Sequence, residues 1–372
     1  MKRRQFLTAP GALALVATIL LGSALVWSRV SSAAVPNPSS IYLPSIRTAP
    51  IPNPTAVADH FGVIVSSDLG TVLTATGITW WYSFGEQTPS GTDALVAQIS
   101  LRPDHTTIKR VPSATLVSAA QPHPASYWII GNEPNVPGQD SVTTTDYATE
   151  LDYYAKTIKG ADPSAKMVGP NVLNWDSTCT GGCGGFPSGS DWVKGVPGTR
   201  LSSTAMSEID VWGLHTYPIT WDHTPMVDPM LAENDIKSMS TYLATLPTEA
   251  KKPIWDTEFG ILWAYDGIDF NAPSNSCVTP SKDSQGNSYC IAPVGQYDQA
   301  AVTAWMNQFV GWLAANASTY RLQRWFLYTS FGQPEPYATT YGGVNVVQGA
   351  AAGAELSPSG QLYRQWSLTP IH

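Results

Sequence analysis

The chain has 372 residues with a formal net charge of −8 at pH 7, and only 13% of its residues are charged. An acidic chain of this kind disfavours nucleic acid and polyanionic polysaccharides as partners. Because aromatic residues are numerous, with 14 Trp and 16 Tyr, the composition instead favours a surface that handles neutral, hydroxylated ligands. The length fits one α/β barrel of about 250 residues together with additional segments.

Residues 1–34 have the layout of a secretory leader. Residues 1–7 are basic, residues 11–27 form a run of small and apolar side chains, and residues 31–34 offer small residues at cleavage-type spacing. The pair Arg3-Arg4 also resembles the bacterial twin-arginine export signal, which carries folded proteins. We therefore expect a secreted, extracellular protein that loses this leader. The alternative is an uncleaved N-terminal membrane anchor, because the apolar run approaches the length that spans a bilayer.

A proline-rich segment and four cysteines fit an exported chain. Residues 35–58 mostly lack periodicity and predict a semi-extended linker. The cysteines suit an oxidising compartment, and of the three pairings that the sequence allows we favour the two local ones, which would each staple a loop. These pairs are Cys179 with Cys183 and Cys277 with Cys290. A zinc site is the alternative, but no His lies close in sequence to either pair, so we expect no metal there.

Apolar runs of β-type composition recur after the linker, with helical or loop-rich sequence between them. Eight of them are predicted as buried strands: Phe61–Ser67, Ile78–Phe84, Thr107–Pro112, Tyr127–Glu133, Lys166–Leu173, Ile209–Tyr217, Pro253–Phe259 and Gln323–Thr329. Helical spacing predicts helices over 145–159, 235–246 and 299–315, and a closing helix over 357–366. Alternating strands and helices in this number predict a (β/α)₈ TIM barrel, a single domain over residues 59–372. The first strand is the open point, because the interval before Ile78 is short for a helix.

In such barrels the chemistry lies at the C-terminal ends of the strands. The fourth predicted strand ends in Asn132 and Glu133 after a long apolar run. The sixth ends in His215 and Tyr217, which are two residues apart and hence on one face, and the seventh ends in Glu258. A carboxyl group beside an apolar wall has a raised pKa and can hold a proton near neutrality, as a general acid must.

Two carboxyl groups that flank a sugar C1 atom are the set that cleaves glycosidic bonds. One protonates the departing oxygen, and the other attacks C1 or activates water. The tips of strands four and seven face each other across an eight-stranded barrel, which permits the separation of about 5 Å that a retaining mechanism needs. We therefore predict Glu133 as the protonated acid and Glu258 as the carboxylate that stays ionised if Tyr217 donates a hydrogen bond to it, with no cofactor and no metal required. The separation of the two groups, and hence the choice between attack on C1 and activation of water, is not readable from the sequence. Asp256, two residues before Glu258, is expected to share its face as a buried partner deeper in the barrel.

Three motifs in order resemble clan A of the retaining glycoside hydrolases: the Asn-Glu-Pro of strand four, the His-x-Tyr-Pro of strand six and the Thr-Glu-Phe-Gly of strand seven. The resemblance runs through most of residues 61–366. It implies that Glu133 is the acid/base and Glu258 the nucleophile, that Asn132 binds the sugar 2-hydroxyl, and that His215 and Tyr217 support the site.

Within the clan, further motifs resemble a group of endo-β-1,3-glucanases. These are the Trp-Trp-Tyr of strand two, Lys-Pro-Ile-Trp-x-Thr-Glu-Phe-Gly around strand seven and Arg-x-x-Arg-Trp-Phe at strand eight. The resemblance implies hydrolysis of β-1,3-glucan, a neutral polysaccharide, or of its oligosaccharides. Asn-Glu-Pro-Asn also resembles families that act on xylosides, and the early strands depart from the glucanase pattern. A β-xyloside or β-mannan hydrolase is therefore the alternative.

Aromatic side chains near these strand ends are candidates for stacking on sugar rings, although filling the core is the competing interpretation. We expect Trp325 of strand eight to lie beside the sugar and Trp81 of strand two to face the cleft. Trp221 and Trp263, which follow strands six and seven, are expected to line outer subsites. Two alternatives of other classes are a carbohydrate-binding barrel without turnover and a wall-anchored structural protein. We expect a monomer that binds no nucleic acid and no membrane beyond an N-terminal anchor.

Overall fold

The structure is a computed structural model that describes the folded part of the chain with gaps. The described residues are 57–66, 69–84, 96–176, 187–195, 198–218, 228–261, 268–269, 279–282, 288–291, 299–331, 344–348 and 353–369. The predicted leader and most of the predicted linker lie outside them, as do Trp221, Trp263, Cys179, Cys183 and Cys277. Only the backbone of Cys290 is described, so the disulfide pairing stays a prediction.

Eight parallel strands form the central sheet. They are β1 (Phe61–Ile64), β2 (Trp80–Tyr82), β3 (Val96–Ile99), β4 (Tyr127–Ile130), β5 (Lys166–Leu173), β6 (Val211–Thr216), β7 (Ile254–Phe259) and β11 (Leu322–Leu327). Neighbouring strands pair in the order β2-β1-β11-β7-β6-β5-β4-β3, and the end strands β2 and β3 approach to within 8 Å between Cα atoms. The sheet is a nearly closed barrel, and the predicted (β/α)₈ fold is confirmed. Three short strands, β8 (Ile268–Asp269), β9 (Thr279–Lys282) and β10 (Ser288–Ile291), form a separate antiparallel sheet.

The described helices follow the barrel strands along the chain. They are α1 (Leu69–Thr76), α2 (Ser113–Ala120), α3 (Thr144–Ala161), α4 (Gly189–Lys194), α5 (Ser203–Glu208), α6 (Met230–Ala244), α7 (Gln299–Tyr320) and α8 (Pro358–Ser367). The four predicted helices correspond to α3, α6, α7 and α8, and α1 fits into the interval that looked too short for one. None of the helices within these ranges is long and apolar enough to cross a membrane.

Local sequence explains where the principal helices begin and which faces they bury. Helix α3 starts after Thr143, whose hydroxyl accepts a hydrogen bond from the backbone N–H of Asp146 at 3.0 Å. Helix α8 starts after Ser357, which caps the N–H of Gly360 at 2.9 Å. Helix α7 buries the apolar positions that recur at helical spacing, namely Val302, Trp305, Met306, Phe309, Val310 and Leu313. Packing of such faces onto the strands supplies most of the hydrophobic stabilisation.

The prediction of a third strand over Thr107–Pro112 is wrong. The third strand is β3, which pairs with β4 from Val96 opposite Tyr127 to Ile99 opposite Ile130. It was missed because it is short and contains the polar Gln98, which faces the barrel interior in place of an apolar side chain.

The segment over residues 107–112 resembles a buried strand in its sequence because it packs against a helix. Val111 is buried under α3, where its carbonyl accepts a hydrogen bond from the hydroxyl of Tyr153 at 2.9 Å. Arg110 beside it pairs with Glu150 of α3 at 2.7 Å. Burial against a helix and burial in a sheet leave the same pattern in a short run, which is why the sequence misled here.

An aromatic cluster around one cation fills the barrel at the N-terminal ends of the strands. The guanidinium carbon of Arg324 lies 3.5 Å from the ring centre of Trp80, 4.9 Å from that of Trp255 and 5.4 Å from that of Tyr127. These rings also contact one another. The interior at this end is therefore packed with side chains, as in other α/β barrels, and the polar groups collect at the opposite end.

Candidate active site

Three predicted residues meet at the C-terminal ends of β4, β6 and β7. Nδ1 of His215 lies 3.0 Å from Oε1 of Glu133 and 2.7 Å from Oε2 of Glu258. One oxygen of each carboxylate and one ring nitrogen lie within 4.8 Å of one another. The side chains are buried, with exposed fractions of 5% for Glu133, 6% for Glu258 and 0% for His215. His215 and Glu258, which are 82 and 125 positions after Glu133 in the sequence, thus share one hydrogen-bonding centre with it.

An extra residue in β7 directs Glu258 towards this centre. In the β6–β7 ladder Leu214 lies opposite Asp256 and His215 lies opposite Glu258, so Thr257 is a bulge residue without a partner of its own in that ladder. The hydroxyl of Thr257 is satisfied instead by hydrogen bonds of 3.0 Å to the Leu214 carbonyl and to the side chain of Asn171.

The bulge separates Asp256 from Glu258, which regular alternation would place on one face. Oδ2 of Asp256 accepts a hydrogen bond from Thr216 at 2.6 Å, and its charge acts on Tyr363 of α8. Asp256 therefore lies in the layer between strands and helices, and the expectation that it sits beneath Glu258 inside the barrel is wrong. Burial is the main cause that raises the pKa of this carboxyl well above its ordinary value.

The backbone at Gly131 and Glu133 is held in an uncommon conformation. Glu133 has a φ of +46° and Gly131 a φ of +87°. The N–H of Glu133 donates to the Asn171 carbonyl at 3.0 Å, and its carbonyl accepts from Val136 at 3.0 Å. A Cβ atom on Gly131 would come within 3.1 Å of the Tyr147 ring, so glycine serves both the turn and the close approach. A residue other than glycine in the left-handed conformation costs about 1–3 kcal/mol of folding free energy. The contacts around Glu133 must offset this cost.

Asn132 and Tyr217 follow the ends of β4 and β6, Asn132 directly before Glu133 and Tyr217 two residues after His215. Nδ2 of Asn132 donates to Gln139 at 2.9 Å, and its Oδ1 accepts from Gln98 at 3.2 Å. The backbone of Tyr217 is bracketed by the side chain of Asn174 through two bonds of 2.8 Å. Its ring lies 3.2 Å from where a Cβ of Gly260 would be, two residues beyond Glu258. The roles of these residues towards a sugar stay predictions.

Two of the predicted stacking residues face away from the site. Trp325 is 0% exposed and stacks on His60 with ring centres 5.3 Å apart, on the outer side of the barrel. Trp81 packs against the core between strands and helices, level with Val63. Both predictions are wrong, because the neighbours Arg324 and Trp80 occupy the inward positions of those strands. Trp221 and Trp263 lie outside the described residues.

Other aromatic residues do stand near the carboxylates. Phe84 is half-buried after the end of β2, with ring centres 5.8 Å from Tyr82 and 5.9 Å from Tyr328. The charges of Glu258 and Glu133 contribute to a pKa of Tyr82 that burial chiefly raises well above its ordinary value. Sequence reasoning missed Phe84 and Tyr328 as members of this aromatic wall, which also contains Tyr82. The signal was the alternation that places residues 80, 82 and 84 on one face.

Burial and the shared imidazole set the protonation of the centre. Burial raises the pKa of Glu133, and the hydrogen bond and charge of His215 oppose this only in part. Burial lowers the pKa of His215, but the charges of both carboxylates and their hydrogen bonds outweigh it and raise the pKa to about 10. His215 is therefore a cation at neutral pH, and one carboxyl beside it tends to hold a proton.

Two buried atoms of the centre have no hydrogen-bond partner within the part of the chain that the structure describes. They are Oε2 of Glu133 and Nε2 of His215. A buried polar atom left without a partner is costly, so the free oxygen of Glu133 is the group best placed to bond an incoming ligand.

The same three side chains are the group among the described residues that could ligate a metal ion. A metal would need the neutral form of the imidazole at Nδ1. The two carboxylates instead favour the protonated imidazole, and together they raise the pKa of His215 to about 10.

A parallel α/β barrel with two carboxylates gathered at the C-terminal strand ends defines the class of barrel enzymes that act through paired acids. Residues 62–363 match the family described as glycosyl hydrolase catalytic core. The chain belongs to this family, and the predicted relation to glycoside hydrolases is confirmed.

Individual relatives are more distant. A protein of Aspergillus clavatus described as probable alpha-L-arabinofuranosidase C is 28% identical over 195 residues, which are 51% of this chain and 35% of that protein. The chain thus spans about a third of the length of this curated relative.

Solved structures resemble the chain in fold. A GH128 (subgroup II) endo-beta-1,3-glucanase from Pseudomonas viridiflava superposes with a TM-score of 0.50 at 18% identity, covering 82% of this chain and 96% of that one. A GH128 (subgroup VII) oligosaccharide-binding protein from Cryptococcus neoformans gives a TM-score of 0.45 at 17% identity, covering 84% and 95%. Identities this low support the fold alone.

Proposed function

We propose that the protein is a secreted, retaining glycoside hydrolase that cleaves β-1,3-glucan. The observation that carries the mechanism is the short separation of the carboxylates: one oxygen of Glu133 and one oxygen of Glu258 lie within 4.8 Å of each other at the shared imidazole. Retaining enzymes hold their carboxyl groups about 5–5.5 Å apart, whereas inverting enzymes need about 6.5–9.5 Å to admit a water molecule. The shorter class fits this site.

In the first step Glu258 attacks the sugar C1 while Glu133 passes its proton to the departing oxygen. The bond from C1 to that oxygen breaks, and a bond from C1 to the Glu258 carboxylate forms. Glu133 then takes a proton from water, which attacks C1 and releases Glu258. The centre enters this cycle with protons on His215 and Glu133 and a negative charge on Glu258, which accepts the shorter bond from the imidazolium, 2.7 Å.

β-1,3-Glucan is the first choice of substrate. The sequence motifs of β2, β7 and β11 resemble those of endo-β-1,3-glucanases, and a solved structure of the same fold carries that description. Phe84, the half-buried member of the aromatic wall, offers an apolar face for a sugar ring, and the net charge of −8 suits a neutral polymer better than an acidic one.

A second candidate is a hydrolase of pentose-containing glycosides such as β-xylosides. The curated relative described as probable alpha-L-arabinofuranosidase C favours it, as does the Asn-Glu-Pro-Asn motif. Secretion rests on the leader over residues 1–34, and the mass of the mature chain from culture medium would show whether it is removed.

Release of reducing sugar from laminarin, xylan, mannan and arabinan distinguishes these candidates. We expect laminarin to be cleaved, and NMR of the first product to show the β-anomer. Xylan or arabinan cleaved in place of laminarin would transfer the proposal to the second candidate. An α-anomer as the first product would contradict retention, and laminarin binding without cleavage would make the protein a binding barrel.

A further inference from the structure

One buried carboxylate at the C-terminal end of the barrel has no part in the chemistry described above. Asp140 is 1% exposed and lies in the segment between β4 and α3. Its oxygens accept four hydrogen bonds, from the Ser100 hydroxyl at 2.6 Å and from the backbone N–H groups of Leu101 at 3.0 Å, Arg102 at 3.0 Å and Asn132 at 2.6 Å. Three of these donors are backbone groups that can only donate, so the site requires an acceptor on both oxygens.

These bonds join the ends of two strands. Residues 100–102 follow β3, whereas Asn132 follows β4 and directly precedes Glu133. The backbone of Asp140 also bonds Asn132, because the N–H of Asp140 donates to the Asn132 carbonyl at 3.1 Å. Gln139, the preceding residue, accepts from the side chain of Asn132 at 2.9 Å. The backbone and the side chain of Asn132 are thus held by two consecutive residues.

We propose that Asp140 is a positioning residue for the general acid, holding the Asn132–Glu133 turn so that the Glu133 carboxyl stays at His215. This rests on the proposed function of Glu133. The turn needs such support because Glu133 adopts a φ of +46°, a conformation that relaxes once its restraints are removed. The side chain of Asp140 does not touch the reacting atoms in this scheme. It acts through Asn132, and its charge adds a smaller direct effect that raises the pKa of Glu133.

The role predicts a loss that depends on the leaving group of the substrate. Asp140→Asn keeps the shape but sets an NH₂ group against backbone N–H donors, so the turn should open. A displacement of about 1 Å at a catalytic group costs about 100-fold in rate. That cost falls on substrates that need a proton on the departing oxygen. A dinitrophenolate leaves without one, and its release should be spared.

Asp162→Asn is the matched control. Asp162 is equally a buried carboxylate that accepts backbone N–H groups, from Ala125 at 2.8 Å and Ser164 at 2.9 Å. It lies at the opposite, N-terminal ends of β4 and β5. The two substitutions therefore remove comparable anchors from the two ends of the barrel, and a loss of stability alone should appear in both.

The experiment measures kcat/KM of the full-length variants on laminarin and on 2,4-dinitrophenyl β-laminaribioside. In Asp140→Asn we expect a loss of about 100-fold on laminarin and of less than about fivefold on the aryl glycoside. In Asp162→Asn both values should stay within about threefold of the wild type, since the site is untouched. Equal losses of Asp140→Asn on both substrates, or no loss, would overturn the proposal.

Two further measurements keep the test decisive. If Asp140→Asn does not fold, Ser100→Ala removes a single bond to the same carboxylate, and its loss should again be confined to laminarin. The Nδ1 proton of His215, followed by NMR, needs no substrate. It should shift in Asp140→Asn as Glu133 withdraws, and not in Asp162→Asn; an unchanged resonance in Asp140→Asn contradicts the positioning role. If the wild type cleaves neither substrate, the proposed function fails while this resonance still decides the role of Asp140.

Discussion

His215 makes the two carboxylates of the site unequal. Its Nδ1 proton lies between Oε2 of Glu258 at 2.7 Å and Oε1 of Glu133 at 3.0 Å, and one N–H cannot bond both fully. In the proposed mechanism, the shorter bond goes to the group that must stay negative to attack C1. Glu133 keeps an oxygen without a partner among the described residues and a pKa that burial raises, which suits a proton donor.

The assignment of roles predicts different losses for the two acids. Glu133→Ala should reduce laminarin hydrolysis by about 10²–10⁴-fold, because general acid catalysis is lost. It should still form the glycosyl-enzyme from a dinitrophenyl glycoside, and azide should speed its turnover by replacing water. Glu258→Gln should abolish turnover of both substrates, because the nucleophile is lost.

Glu150→Gln is the control for these variants. Glu150 is also buried, but it pairs with Arg110 on the outer side of the barrel. The activity of Glu150→Gln per folded molecule should therefore match that of the wild type. Rescue of Glu258→Gln by azide with a product of unchanged anomeric configuration would exchange the two assignments.

The charge of His215 predicts a displacement of the pH profile. Its hydrogen bond and charge both lower the pKa of Glu133, so His215→Asn should raise that pKa further. The basic limb of kcat/KM, which reports the proton on the acid, should then move to higher pH while kcat falls.

His60→Asn provides the comparison, since His60 stacks on Trp325 away from the site and should leave the profile unchanged. A basic limb that stays in place, or moves to lower pH, in His215→Asn would show that His215 does not govern the proton on Glu133.

At the scale of elements, Asn171 ties together the strands that carry the two acids. It is fully buried at a φ of +60° in an irregular step of β5. Its amide donates to the Ile130 carbonyl of β4 at 3.1 Å, and its Oδ1 accepts from Thr257 of β7 at 3.0 Å. Its carbonyl receives the N–H of Glu133 at 3.0 Å. Irregular strands therefore place both carboxylates, and one residue, Asn171, satisfies both irregularities through its backbone and its side chain.

Gly213→Ala should disturb this arrangement. A Cβ atom at Gly213 would lie 1.9 Å from Oδ1 of Asn171, so Asn171 would have to leave its bonds to β4 and β7. We expect a loss of about 3 kcal/mol or more in the free energy of unfolding, measured with urea, because a buried hydrogen-bond network breaks. Activity should fall in the fraction that remains folded.

Gly160→Ala serves as its control. Gly160 lies in α3 with nothing within 4 Å of its would-be Cβ, so alanine there should be neutral or stabilising by up to about 1 kcal/mol. Equal stability of the two variants would show that the barrel absorbs the clash and that Asn171 is not essential.

These irregular steps also explain what the sequence could and could not predict. Glu133, His215 and Glu258 were located because parallel strands bring their C-terminal ends together, whatever the register. Trp81, Trp325 and Asp256 were misplaced because the side that a residue faces depends on the register and on a bulge such as that at Thr257. Sequence periodicity carries no signal for one inserted residue. The strand β3 was missed for a different reason, because the polar Gln98 interrupts its short apolar run.

At the scale of the whole molecule, buried ionisable groups lie at both ends of the barrel. Arg324 lies within the aromatic cluster at the N-terminal end, where burial lowers its pKa to about 10. His215 lies at the C-terminal end with its pKa raised to about 10. Between and around them, burial raises the pKa of Glu133, Asp256 and Tyr82. Because the folded state holds these protons more tightly than the unfolded chain, with Arg324 as the exception, the fold depends on pH.

The sign of this dependence gives a prediction for stability. The pKa of His215 rises from 6.5 in the unfolded chain to about 10 in the fold, so its contribution is fully present below pH 6.5 and is lost as the pH rises to 10. The raised pKa values of Glu133 and Asp256 act in the same direction. The free energy of unfolding in urea should therefore decline across this window, by up to about 1.4 kcal/mol per pH unit for a single group.

His215→Asn should make this decline shallower, although it also lowers stability by leaving two carboxylates without their shared cation. His60→Asn should keep the wild-type slope above about pH 7.5, because burial lowers the pKa of His60 and His60 is then neutral in both the folded and the unfolded chain. The imidazolium at the centre thus links the stability of the barrel to the protonation that the proposed chemistry requires. A free energy of unfolding that stays level or rises from pH 6.5 to pH 10 would show that His215 is not held as a cation.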